Sequence, residues 1–591
     1  MNKWITTCLA FAALACGDDE PRDGVPEIEC GTLTQADMEP ASVTVSSGCW
    51  EVSDLLVKRG GLLVVEPGAT FYFEAEAGLR LEFAALIAEG RADRPIRFSS
   101  RREVRASWSG IDLFASDDAE NRLAHAEVRF AGQRGFGVRV GERSSLQVWD
   151  STFLQNEGAA LLVEEIDLPV VVRDTLFERN TVSIRVPANQ VGGLGFGLTF
   201  TENLRGQIEV SEPGPALRGQ PFQEIRTFQS WAAQGEPYSV LAPVRVLAPL
   251  ILDAGVQIRS RGGFEVAGAG SLEALGVENL PVRFRGDELG QGGWFGIRVR
   301  NPDDDGAPEV RLQWTVVDGA GRVWPREDGR PSRASERLGA LHAAGNADLV
   351  LRHVVFSNNA HVALDVSDLG LDDVTLEDIA FRENERPLAI GLQLLERLPE
   401  VLSFEGNDNE AVFLGSLGVD ALAYEGGQPL TALSVPYRVA YGQVLQVTRE
   451  LTVEPGVVFE FETGAGLWLN GGELQAEGTA AQPITFRAAE AGTRWKGIKL
   501  SGRFAANRLR HAVVEGAGRE PWLPNNPDSR AAVLVRAARL AVDALRIPDS
   551  GHHGIALLFG GNLECEGPLE FGALPGDAIF ADEFSGSNGC N

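Results

Sequence analysis

After its first sixteen residues the chain has no run of about 20 apolar residues, the length a helix needs to cross a bilayer, so any membrane attachment is expected at the N-terminus. Positive charge is scarce. The 53 basic residues face 83 acidic ones, for a net charge of −30, and nearly all the basic residues are arginine. Such a surface repels nucleic acid, whose binding depends on neutralising phosphates. It also disfavours polyanionic glycans unless calcium bridges carboxylate to carboxylate, and on an exported protein it confers solubility. Helical periodicity is missing over any useful length. Cysteine is rare, with six in 591 residues, so each one carries weight.

What is present begins with a repeated phrase. Phe-x-x-Asn occurs at Phe153–Asn156, Phe177–Asn180 and Phe200–Asn203, and again at Phe356–Asn359, Phe381–Asn384 and Phe404–Asn407, at spacings of 23 to 25 residues. A weak version at Ile547–Ser550 is followed 24 residues later by Phe571. A period of that size marks a solenoid. Two or three short strands with their turns fill one coil, and like residues then stack at roughly 4.8 Å. Phe is expected to stack on Phe inside the coil. Asn is expected at a sharp left-handed turn, its amide donating to one neighbouring coil and accepting from the other. About 22 such coils would make one rod near 110 Å long, and a monomer is expected.

Residues 1–16 carry Lys3, an apolar core from Trp4 to Leu14, and small residues before Cys16, the pattern of an export signal. Ala13-Leu14-Ala15-Cys16 resembles the lipobox of bacterial lipoproteins, with Leu14 one place late; that resemblance implies a lipid on Cys16 and a place in the periplasm or at the cell surface. Ordinary cleavage after Ala15 is the alternative. Parity favours lipidation, because it leaves four cysteines, enough for two bridges in an oxidising compartment. Their placement suggests Cys30 with Cys49 and Cys565 with Cys590, one bridge capping each end of the solenoid. Residues 17–29 are an acidic tether and 30–48 an N-terminal cap.

From residue 49 the chain reads as three copies of one module, 49–236, 237–435 and 436–591, the last ending in the C-terminal cap. LLVVEPG, LILDAG and LTVEPG place Gly68, Gly255 and Gly456 in correspondence, and Trp108, Trp294 and Trp495 recur at one scaffold position. Short alternations such as Phe459-Glu460-Phe461 between Gly, Pro and Asn are strand grammar. LTVEPG, AEGTAAQPITF and WKGI, followed by Phe-x-x-Asn coils, resemble the right-handed parallel β-helix of the pectin-lyase-like superfamily, especially its repeat-bearing bacterial lipoproteins. The resemblance covers roughly residues 49 to 580 and implies an all-β fold, a single long right-handed parallel β-helix. It does not settle activity, because that superfamily includes polysaccharide lyases and hydrolases as well as adhesins.

Candidate sites are weighed across the copies. His125 and His511 fall where the second copy has Trp314, so packing explains them. His552-His553 resembles the Gly-His-Gly of β-helix polygalacturonases, but other phrases of those enzymes are missing: Asn180-Thr181 runs on into Val182, not Asp. Inverting hydrolysis needs an acid and a base at a set separation, so no catalytic residue is assigned. Asp303, Asp304 and Asp305 could hold calcium, as could Asp117-Asp118 in the corresponding turn; solvated loop tips are the simpler reading. Insertions after Gly-Ala-Gly in the second and third copies depart most from the repeat. They carry Trp324 with Arg326 and Asp328, and Trp522 with Asn525 and Asp528. Either these loops hold out aromatic faces and polar groups for carbohydrate, or each Trp folds back over the coil edge. The leading expectation is a non-enzymatic, lipid-anchored rod that binds polysaccharide or another envelope component. A polysaccharide lyase or glycoside hydrolase is the alternative, and a structural spacer or adhesin the third. A groove stacking three or more charged side chains would favour the enzyme.

Overall fold

The computed structural model describes residues 29–211, 222–300, 306–324, 338–370, 373–399, 401–415, 421–424, 429–502, 505–586 and 588–590. The signal segment with Cys16, the tether to residue 28, Asp303–Asp305, Arg326 and Asp328 lie outside the described residues.

The chain is a parallel β-helix solenoid. One coil comprises Arg122–Ala124, Ala126–Arg129 and Phe136–Val140, and the next Leu146–Trp149, Thr152–Leu154 and Ala159–Val163. Each strand pairs in parallel with its equivalent one coil on: Ala124 with Trp149, Val128 with Phe153, Val138 with Leu161. In-out alternation along strands such as Ala69–Phe73 puts one side chain in two into the interior. The core is therefore a stack of like residues. Phe153, Phe177 and Phe200 are ring-on-ring at 4.9 and 5.7 Å, and Phe356, Phe381 and Phe404 repeat this at 5.6 and 5.5 Å. Ile547 faces Phe571 in the same way. Burying each Phe stabilises the coil by about 1.5–3 kcal/mol, and stacking adds about 0.5–1.5 kcal/mol.

The asparagine ladder forms, with one correction. Asn156 donates to Asn180 and Asn180 to Asn203, at 2.9 and 3.1 Å; Asn359, Asn384 and Asn407 form the second run. The left-handed residue, however, is the one before each Asn: Gln155, Arg179, Glu202, Asn358 and Glu383 have φ of 53 to 55°. The reason is geometric. The ladder residue must turn its amide inward along the rod, whereas its predecessor can take the reversal with its side chain outside.

Trp108, Trp294 and Trp495 are buried, and each indole N–H donates to a backbone carbonyl, Arg129, Asp318 and Glu515, at 2.7 to 2.8 Å. Gly68, Gly255 and Gly456 share one turn, with φ of 84 to 88°. Cys30 bonds Cys49, and Cys565 bonds Cys590, near the two ends.

Candidate functional site

In several coils the backbone turns between the first and second strands on a single left-handed residue. In the first copy these residues are His125, Asp150 and Asp174, with φ of 43, 50 and 47°. The strand registers bring them into one column: Ala124 pairs with Trp149, and Trp149 with Arg173, so the residue after each also aligns. The bridge between Val172 and Leu194 extends the column to Phe196. A tight left-handed corner leaves the side chain no packing partner behind it, so it projects outward, which is why polar residues are tolerated there.

The column opens a groove of about 460 Å³ lined by His125, Asp150 and Asp174, with Ser151, Thr152, Thr175 and Thr199 among the residues along the adjoining strands. His125 Nε2 stands 3.9 Å from Asp150 Oδ2, beyond hydrogen-bond reach. Gly197 keeps the far end open, since a Cβ there would collide with the Asp174 carboxylate. Phe196 stands beside it with 82 % of its surface exposed. The site thus offers an uncovered aromatic face next to stacked hydrogen-bonding groups.

The other copies vary this column. Trp314, His353 and Asp378 occupy it in the second copy, with Trp314 stacked on His353 at 4.1 Å and His353 Nδ1 2.8 Å from Asp378 Oδ2. The third copy has His511 and Ala544. His125, Trp314 and His511 share the position expected of them; residue type does not mark the carboxylates one and two coils on. Their signal is spacing: Asp150 follows His125 by 25 residues and Asp174 follows by another 24.

A second outward column, on the long sheet through Gly263–Val266 and Gly296–Val299, stacks Glu224, Arg245, Glu265, Arg298, His342 and Asp365 on consecutive strands. Its charges are matched. Glu265, 1 % exposed, meets Arg245, Arg300 and Arg298 at 2.7, 3.2 and 3.5 Å. Further along, Glu460 meets Arg438 and Arg487 at 2.6 and 2.7 Å. Burial alone would raise the Asp365 carboxyl, but His342 and Ser367 outweigh it and hold it below the usual carboxylate range. A carboxylate locked to arginines or to an imidazole is poorly placed to exchange a proton.

The two insertions do not hold their tryptophans out, which corrects the projecting-face picture. Trp324 is 3 % and Trp522 8 % exposed. Each indole lies over a glycine of the coil, where a Cβ on Gly263 or Gly466 would stand 2.8 Å from the ring. The missing side chain makes the seat, and apolar burial drives the ring into it. Lys496 and Lys499 sit against Trp522, and Lys499 lies 3.9 Å from the Trp468 ring centre. Asn525 is exposed at the tip, and Asp528 turns towards His552 and His553. Asp117 and Asp118 are solvated.

No family model, curated protein or solved structure matches this chain.

Proposed function

We propose that this chain is an exported, lipid-anchored β-helix protein, akin to the pectin-lyase-like superfamily, that displays an elongated surface for binding polysaccharide or another cell-envelope component. The observation that carries the reading is Phe196, exposed at the end of the His125–Asp150–Asp174 column. Sugars present apolar faces and hydroxyls together, and Phe196, adjoining the groove residue Gly197, sets an exposed ring beside acceptors repeated at the coil spacing of roughly 4.8 Å. The second column does stack Glu224, Arg245, Glu265, Arg298 and Asp365, the arrangement expected to favour an enzyme, but Glu265 and Glu460 are each held by arginines, which favours binding over catalysis there. Glycan-array binding by the wild type that is lost in Asp150→Asn plus Asp174→Asn supports the assignment; equal binding by both proteins removes the groove from it. Lipidation of Cys16 is tested by Cys16→Ala, which should release the protein from membranes.

A polysaccharide hydrolase is the second reading, and Asp150 and Asp174 favour it. They fall on neighbouring coils of one column and line one groove, and retaining hydrolysis needs two carboxylates flanking the bond. Release of reducing ends from a bound glycan, abolished by Asp150→Asn, would establish it.

A further inference from the structure

Asp528, His552 and His553 come together at the corner of the third copy. One ligating atom from each lies within 4.8 Å of the others. They meet because Asp528 and His552 are 24 residues apart, one coil, and Ala531 pairs in register with His553. Asp528 belongs to the insertion, and its backbone is fixed: the Asn526 side chain accepts its N–H at 3.0 Å, and Trp522 anchors the same loop. His553 is packed on Phe580 at 4.7 Å between ring centres, with His552 at 4.1 Å.

His553 has an unmet need. Its side chain is 5 % exposed, and its Nε2 is buried with no hydrogen-bond partner among the described residues. Buried polar atoms are nearly always paired, and this one faces Asp528 Oδ1 at 4.0 Å.

We infer that Asp528, His552 and His553 form a binding site for a divalent transition metal of the zinc type, which ties the insertion to its coil. Two imidazoles and a carboxylate suit zinc, nickel or copper. Ligands at about 2.1 Å in a tetrahedral arrangement stand about 3.4 Å apart. Asp528, 47 % exposed, can close the remaining distance.

The proton has a defined course. The Asp577 backbone N–H donates to His553 Nδ1 at 2.9 Å, so without metal the neutral ring carries its proton on Nε2. An ion bound through Nε2 would displace that proton to solvent, and Nδ1 would take one up from solvent and donate it to the Asp577 carboxylate, 3.8 Å away, in place of accepting from the amide. The product is a carboxylate–histidine–metal arrangement.

The test is calorimetric titration of the full chain with zinc chloride at pH 7.5, alongside nitrogen-15 spectra of the histidine rings. Expected are one equivalent bound, at least tenfold weaker binding in Asp528→Asn and in His552→Ala, and a His553 proton that shifts from Nε2 to Nδ1. Both substitutions are at partly exposed positions, and circular dichroism verifies their folding. Zinc binding equal in wild type and both variants, no binding at one equivalent, or an unmoved His553 proton would overturn the inference.

Discussion

The side-chain amide of Asn156 donates to Oδ1 of Asn180 one coil on, at 2.9 Å, and the Asn156 backbone N–H reaches the same oxygen at 3.0 Å. Asn180 in turn donates to the Phe153 carbonyl at 2.9 Å and to Asn203. One side chain therefore satisfies groups on both neighbouring coils. Asn180→Ala strands them in a buried turn, and we expect it to lower stability by about 3 kcal/mol. Asn180→Asp should cost at least as much, because an acceptor then faces the Phe153 carbonyl. Urea unfolding with hydrogen exchange measures both; a loss below about 1 kcal/mol would mean the ladder is decorative.

Gly466→Ala should unseat Trp522. The added methyl would stand 2.8 Å from a rigid, buried ring, so the indole and its loop must move and not merely adjust. The expected result is a red shift in tryptophan emission with unchanged far-ultraviolet circular dichroism. An unshifted spectrum would show that the loop does not rest on that glycine.

Lys499 should make stability rise with pH. Burial first, then Arg536 and Lys496, push its ammonium group down to about 8 from 10.5. Between those values the unfolded chain holds a proton that the folded chain has released, so folding is favoured as pH increases through the window and disfavoured below it. Stacking on Trp468 offsets part of the penalty. Lys499→Met should therefore raise stability at pH 7 by on the order of 2 kcal/mol and flatten the slope between pH 8 and 10. A variant with the wild-type slope would refute this.

The coil, the Phe stack and both disulfides are legible in the chain because each follows from periodicity or parity. Phe153, Phe177 and Phe200 recur at the coil period, and residues at one period must stack. Four cysteines placed in two distant pairs leave one short-range pairing. The groove is harder to see, because His125, Asp150, Asp174 and Phe196 share a column but no residue type. Only the coil register joins them. Trp324 and Trp522 illustrate the opposite limit: a loop tryptophan reads alike whether it projects or folds back, and what decides is a bare glycine, Gly263 or Gly466, about 60 residues upstream. Asp528 and His552 were open to the same rule of 24 residues, but they belong to different phrases, an insertion and a turn.

The most direct measurement is the affinity of wild type and Phe196→Ala for the glycan that the array binds most strongly, taken by calorimetry with a melting curve for each protein. Phe196 is exposed, so its removal should leave the melting temperature unchanged. Loss of an aromatic stacking partner should weaken binding about tenfold, equivalent to about 1.4 kcal/mol. Undiminished affinity in Phe196→Ala, or no glycan bound by the wild type, would contradict a saccharide groove at the His125–Asp150–Asp174 corner.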